Sequence, residues 1–262
     1  VVGLVEEGDW YRVKWRDRDT CRAMCESLHK KGIQTFDGAI SPVLRYMADN
    51  AVSVAEPRKC WVDIETDSRV PFSQAEERAR ILCWVVSDGV NEFEGLLNED
   101  TDQDERRLLL ELWAVLDNYD LVAAWNGDRF DFPVIHTRTR QRRINVEIRR
   151  WQWLDHMLIF QRMNVAAESG EEKQSMRLDA IAHLVLGIGK NPFDASKTWQ
   201  EWAAGGQRRA TLLAYCAQDT RLMPQIETKT GHIALLRTLA IACGTFTDTR
   251  GASPSVQVEG FL

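Results

Sequence analysis

Residues 60–67, Cys-Trp-Val-Asp-Ile-Glu-Thr-Asp, constrain this chain most: an apolar run that reads as a buried strand yet carries two carboxylates one residue apart. Side chains i and i+2 of a strand share a face, so Asp63 and Glu65 point one way while Val62 and Ile64 point the other. Two carboxylates side by side at the end of a buried strand repel each other and need a reason to stay ionised. A divalent cation with oxygen ligands is the commonest reason. A strand ending in a polar turn is the plainer alternative, and the segment alone does not choose between them.

The elements around this strand follow from hydrophobic periodicity and turn chemistry. Ile81–Val86 is a second apolar strand, Asp88-Gly89 a hairpin turn signal, and Val90–Glu94 a returning third strand. Thr101 caps a helix with Leu108, Leu109, Leu112 and Leu116 on one face. Leu121–Trp125 is a short buried strand, followed by an Asn126-Gly127-Asp128 turn and a helix from about Pro133 toward Arg143. Trp151–Leu154 is a last strand, and residues 165–175 form a polar loop. A helix through Leu178, Ile181, Ala182 and Val185 closes at Gly187, and a final helical region starts near Gln207, with Pro224 as its expected break.

Upstream, Trp10–Trp15 suits an edge strand, and Cys21, Met24, Cys25 and Leu28 line one face of a helix that Gly32 terminates. Ser41-Pro42 opens a short helix through Val43, Leu44, Tyr46 and Met47. These elements make residues 1–55 a small accessory segment, with the main domain over residues 56–240 and a tail over residues 241–262. A three-strand meander, helix, buried strand, helix, strand, then helices is the order of a ribonuclease H-like α/β fold, a mixed sheet flanked by helices.

A hydrophobic content of 44% and a charged content of 27% in 262 residues suit a soluble globular chain with an ample core. No apolar run approaches membrane-spanning length and no signal-peptide pattern opens the chain, so a cytoplasmic location without a membrane partner is expected. Val1 in place of Met suggests a trimmed or processed chain. The six cysteines lack the CxxC spacing of a zinc site and are expected as buried reduced thiols. A net charge of −6 argues against nucleic-acid binding through overall charge, while leaving room for a local basic surface. Six arginines against the single acid Glu147 between Arg138 and Arg150 either track a nucleic-acid backbone or form a solvated helix face. The seven acids from Glu92 to Glu105 read as solvated surface with favourable charge at a helix N-terminus. The histidines, including His136, His156 and His183, show no metal-ligand spacing and read as structural, and the ten tryptophans read as core.

Further carboxylates complete a pattern. Asp131 opens a helix directly after a buried strand, and Tyr215 and Asp219, four residues apart, face the same way on adjacent helical turns. Taken singly, Asp131 can be a helix N-terminal charge, Tyr215 a core aromatic and Asp219 an exposed helix residue. Taken together with Asp63 and Glu65, their order and spacing match a known arrangement.

The chain resembles the 3′→5′ exonuclease (proofreading) domain of family B DNA polymerases over about residues 33–240. Trp-Val-Asp63-Ile-Glu65-Thr resembles that family's first exonuclease motif, Asn126-Gly-Asp-Arg-Phe130-Asp131-Phe-Pro its second, and Tyr215-Cys-Ala-Gln-Asp219 its third. Leu178-Asp179, Leu186-Gly187 leading to Lys190, and Pro42-Val-Leu-Arg45-Tyr46-Met-Ala-Asp49 extend the similarity, and Tyr215 places the chain with the tyrosine-type (DEDDy) members. The resemblance implies two divalent ions, Mg²⁺ or Mn²⁺. Asp63 would bridge both, Glu65 and Asp219 would complete the water-side site, Asp131 would hold the second, and Tyr215 would orient the attacking water. It further implies Asn126, Phe130 and Thr66 as substrate contacts, with Lys190 a weaker phosphate candidate. On pattern alone, Phe130 is equally a core residue.

The implied activity is removal of nucleotides from single-stranded or frayed DNA 3′ ends, next to a polymerase domain in cis or in trans, in a nucleoid or viral replication context. Nothing after Gln225 resembles a polymerase palm. The rival readings are a free-standing tyrosine-type ribonuclease and a catalytically inactive binding or scaffolding module.

Overall fold

A five-stranded mixed sheet, order β5-β4-β3-β6-β7, organises the larger of two compact units in this computed structural model. The structure describes residues 3–7, 10–15, 17–35, 46, 55–164, 175–189, 193–243, 247 and 249. One unit comprises Val1–Val54 with Leu239–Thr245 and Pro254–Leu262, and the other Ala55–Thr238 with Phe246–Ser253.

In the smaller unit, β1 (Gly3–Glu7) pairs antiparallel with β2 (Trp10–Lys14). Helix α1 (Arg18–Lys30) starts where the Asp17 carboxylate accepts the Thr20 N–H at 2.8 Å, and the chain leaves it through Gly32 at φ +75°. Tyr46 is helical, whereas the rest of the expected Ser41-Pro42 helix lies outside the described residues.

In the larger unit, β3 (Lys59–Thr66) is central. It runs antiparallel to β4 (Ile81–Ser87) and parallel to β6 (Leu121–Ala124); β4 also pairs with β5 (Glu92–Leu96), and β6 with β7 (Gln152–Asp155). The helices are α2 (Ala75–Arg78), α3 (Asp102–Leu116), α4 (Asp131–Gln141), α5 (His156–Met163), α6 (Leu178–Leu186), α7 (Thr198–Ala204), α8 (Gly206–Thr230) and, as far as Thr238, α9 (His232–Ala242). Strand alternation divides the core. Cys60, Val62 and Ile64 join α3 and α4 on one face, and Trp61, Leu121 and Leu154 join α6 and the second half of α8 on the other. Gly95 lies against the Trp84 ring, where a Cβ would come within 2.3 Å of Cε2, and the indole N–H reaches the Leu108 carbonyl at 3.0 Å. Among the described residues, no helix is long and apolar enough to cross a membrane.

Several sequence expectations change for physical reasons. Asp88–Asn91 is a four-residue loop, because the Asp88 carboxylate takes both the Val90 and Asn91 N–H groups; β5 therefore starts at Glu92 and not at Val90. Pro224 does not break the last long helix: it lies buried inside α8, which packs on β3 and β4, and burial outweighs the lost hydrogen bond. Cys60, Cys83 and Cys216 are buried, but Cys21, Cys25 and Cys243 are only half-buried.

The acidic and basic runs meet in part, where Asp102 and Glu105 pair with Arg138 and Arg142. Glu105 is fully buried and accepts from Arg138 Nε at 2.8 Å, Arg138 Nη2 at 2.5 Å and Arg142 Nε at 2.6 Å. Arg80 pairs with Asp100 at 2.8 Å and Asp102 at 3.0 Å, Arg142 with Asp102, and Arg150 with Asp117. Arg138 and Arg142 thus fasten α4 to α3, whereas Arg140, Arg143, Arg149 and Arg150 are exposed, as a solvated face requires.

Candidate active site

The parallel strands β3, β6 and β7 all end at the same edge of the sheet, where open α/β sheets place their ligand crevice. Strand β6 pairs with β3 only as far as Trp61, opposite Ala123, so the following stretch of β3 faces the turn after β6 and not a strand. There the Ile64 N–H donates to the Asp131 carboxylate at 3.3 Å, tying the first residue of α4 to the strand that carries Asp63 and Glu65. The β3–β4 register shifts between Glu65 and Thr66, a bulge at the point where β3 leaves the sheet. The Thr66 carbonyl accepts the Thr198 hydroxyl at 2.6 Å, which docks α7.

The turn after β6 is held from β7. Asn126 adopts the left-handed conformation at φ 61°, ψ 29°, a region that Asn tolerates better than most residues. Asp155, fully buried at the end of β7, accepts the Asp128 N–H at 3.2 Å and the Leu158 N–H at 3.1 Å. Burial raises the Asp155 carboxyl, and these N–H bonds counteract only part of that rise. Sequence reading missed Asp155. Its signal was an N-cap residue type closing an apolar strand just before a helical run.

Helix α8 supplies the opposite wall. The Cys216 thiol donates to the Asp63 carbonyl at 3.4 Å, which sets Tyr215 and Asp219 beside β3. Tyr215 stacks on Phe193, ring centroids 4.4 Å apart at 21°, and Asp219 lies near enough for its charge to bear on the hydroxyl. Burial, followed by the charges of Asp219, Glu65 and Asp63, pushes the phenol far above its ordinary range, so it stays protonated at neutral pH. Burial and then the Asp63 charge push the Asp131 carboxyl well up, against the pull of the Ile64 N–H and its own N–H.

A cleft of about 720 Å³ opens here, its lining including Asp63, Asn126, Asp179, Phe193, Tyr215 and Asp219. Glu65 and Asp131 adjoin these residues closely enough for their charges to bear on Tyr215 and Asp63 respectively. Thr66 and Phe130 are not in the lining: Thr66 holds α7, and Phe130 stacks at 5.3 Å on the exposed Phe72 ring. Lys190 lies outside the described residues.

The candidate donor set is carboxylate throughout, which fits hard, oxygen-seeking divalent cations and not thiophilic ones. Among the described residues, no three His, Cys, Asp or Glu side chains stand ready to hold an ion, so an ion would have to draw the carboxylates together. The mutual crowding of Asp63 and Asp131 supplies an electrostatic reason for it to do so.

Residues 60–230, which include every one of these carboxylates, match the RNase H superfamily. The chain belongs to the RNase H superfamily. This RNase H-superfamily chain is 28% identical over 173 residues to DNA polymerase 1 of Aeropyrum pernix, covering 60% of the chain and 17% of that protein. Its fold matches a family B DNA polymerase from the hyperthermophilic archaeon Pyrobaculum calidifontis with a TM-score of 0.72 at 19% identity, over 96% of this chain and 39% of that one. The chain thus spans less than a fifth of the curated relative and about two fifths of the solved one.

Proposed function

We propose that this chain is a metal-dependent 3′→5′ exonuclease acting on single-stranded or frayed DNA 3′ ends, the proofreading portion of a family B DNA polymerase. The observation that carries the reading is the single cleft that Asp63, Tyr215 and Asp219 line, with Glu65 and Asp131 adjoining it at the carboxyl edge of an RNase H-superfamily sheet. Residues 1–55 are then its accessory segment, 56–240 its exonuclease domain, and 241–262 the stretch leading toward a polymerase domain in cis or in trans. Cytoplasmic replication is the setting that goes with that role.

Asp63, Glu65, Asp131 and Asp219 would hold two divalent ions, Mg²⁺ or Mn²⁺. Bound there, the ions supply an activated water and neutralise charge on the scissile phosphate and leaving oxygen. The chain's own groups do the positioning. Tyr215, stacked on the Phe193 ring beside the Asp219 charge, keeps its proton and so acts as a hydrogen-bonding group for the attacking water, not as a base. Asn126, in its left-handed turn, reaches the terminal nucleotide from the opposite wall. Phe130 and Thr66 contribute at the margin of the cleft, Phe130 through stacking, which tolerates any base.

The test is a single DNA strand labelled at its 5′ end and incubated with Mg²⁺ or Mn²⁺. Stepwise shortening from the 3′ end is expected, and loss of it in Asp63→Ala/Glu65→Ala. No shortening, or shortening that survives both substitutions, overturns the proposal. An RNA strand of the same sequence, if degraded faster, transfers the reading to a ribonuclease.

A further inference from the structure

We infer that Arg177 is the side chain that grips a phosphodiester of the strand entering the cleft; the inference rests on the nuclease reading above. The requirement comes from charge. The described lining carries three carboxylates, Asp63, Asp179 and Asp219, and a nucleic-acid strand is a string of anions. A strand seated there needs cations from the protein as well as any bound to the carboxylates. The basic run at residues 138–150, the obvious source in the sequence, contributes no side chain to the described lining, and half of its six arginines are committed elsewhere. Arg138 and Arg142 are bound to Glu105, and Arg150 to Asp117.

Arg177 is the one cationic side chain in the described lining of the cleft. It is exposed, and no carboxylate among the described residues forms an ion pair with it. It sits at the N-cap position of α6 with extended backbone, φ −64° and ψ 139°, between Met176 and Leu178, which also line the cleft. The Met176 carbonyl accepts the Trp125 indole N–H at 2.9 Å, so the backbone that presents the arginine is fastened to the end of β6. A guanidinium held on an anchored backbone, and not spent on a carboxylate, suits the two-pronged recognition of phosphate oxygens. Its side chain makes no helix-cap bond, so its removal leaves α6 intact.

The experiment compares the 262-residue chain with Arg177→Ala and Arg177→Lys by fluorescence anisotropy on a short oligo(dT) strand, with EDTA present so that no hydrolysis runs. Arg177→Ala is expected to bind roughly tenfold or more weakly, the loss of a charged hydrogen-bonding contact. The slope of log K against log salt should shrink by about 0.7, one phosphate contact on a single strand. Arg177→Lys should keep the wild-type slope with an intermediate affinity, because it keeps the charge and loses the fork. With Mg²⁺, Arg177→Ala should raise KM far more than it lowers kcat. Unchanged affinity, or weaker binding with an unchanged salt slope, overturns the inference while leaving the nuclease reading in place. A wild-type chain that neither binds nor shortens the strand overturns the nuclease reading itself.

Discussion

Glu105→Ala is the perturbation with the largest consequence outside the cleft. Glu105 is fully buried and Arg138 is 4% exposed; one carboxylate accepts from Arg138 twice, from Arg142, and from the Ile81 N–H at 3.1 Å. Removing the acid leaves the Arg138 guanidinium in the interior with only the Gln141 side chain, at 2.7 Å, and the Glu77 carbonyl, at 3.5 Å, as recorded partners. An uncompensated charge of that kind costs about 3–5 kcal/mol, and the orphaned Ile81 N–H moves the figure toward the upper end. Against a total stability of about 5–15 kcal/mol, the melting temperature should fall by roughly 6–20 °C, at about 2–4 °C per kcal/mol for a unit of this size. Urea unfolding gives the free energy and calorimetry the midpoint. Because Arg138 lies two turns beyond Asp131 in α4, the proposed nuclease activity, measured on the folded fraction, should fall as well. Glu105→Leu combined with Arg138→Met should cost well under the sum of the two single changes, since an apolar pair of similar volume tolerates burial. A loss below about 1 kcal/mol in Glu105→Ala, or strict additivity in the double variant, would refute the claim that this pair is a mutually dependent buried charge.

Three further outcomes follow from local geometry. Asp155→Ala removes the acceptor that holds the Asn126–Asp128 turn, so kcat on a DNA strand should drop at least tenfold with about 1–3 kcal/mol of lost stability; full activity would show that the turn holds itself. Gly127→Ala places a Cβ 2.6 Å from Phe132 Cζ and 2.8 Å from Ala124 Cβ, and should cost about 1–3 kcal/mol through overpacking while displacing Asn126; a thermal shift assay and the strand assay read the two effects. His156 is fully buried, and desolvation followed by the nearby His232 holds its imidazole down to about 3. Its unfolded value is about 6.5, so the unfolded chain binds the proton first: stability is fully present above about 6.5 and is lost as the pH falls toward 3. His156→Gln, which keeps an acceptor for the Trp61 indole N–H, should therefore flatten the fall in urea midpoint between pH 6.5 and 4, and an unchanged slope would assign the acid sensitivity elsewhere.

Much of the fold was legible because the strands and helices of the larger unit carry their periodicity locally. The run at 60–66 reads as a strand from its composition and becomes β3; Thr101 reads as a cap and accepts the Asp104 N–H at 3.2 Å. Spacing also told which carboxylates share a face within one strand or one helix, whereas grouping Asp63, Glu65, Asp131 and Asp219 into one candidate set came from the resemblance to the exonuclease motifs. Tertiary structure alone could decide how charge is shared across elements. The run of acids at 92–105 and that of arginines at 138–150 each look solvated in isolation, yet Glu105 and Arg138 are buried against each other over 33 residues of chain. The same holds for Pro224, whose place inside α8 depends on packing against β4, and for Asp155, whose backbone donors Asp128 and Leu158 come from two different segments. Sequence fixes which residues can ionise and which way they point along their own element. Only the packed sheet determines which of those charges meet, because that depends on which elements lie side by side.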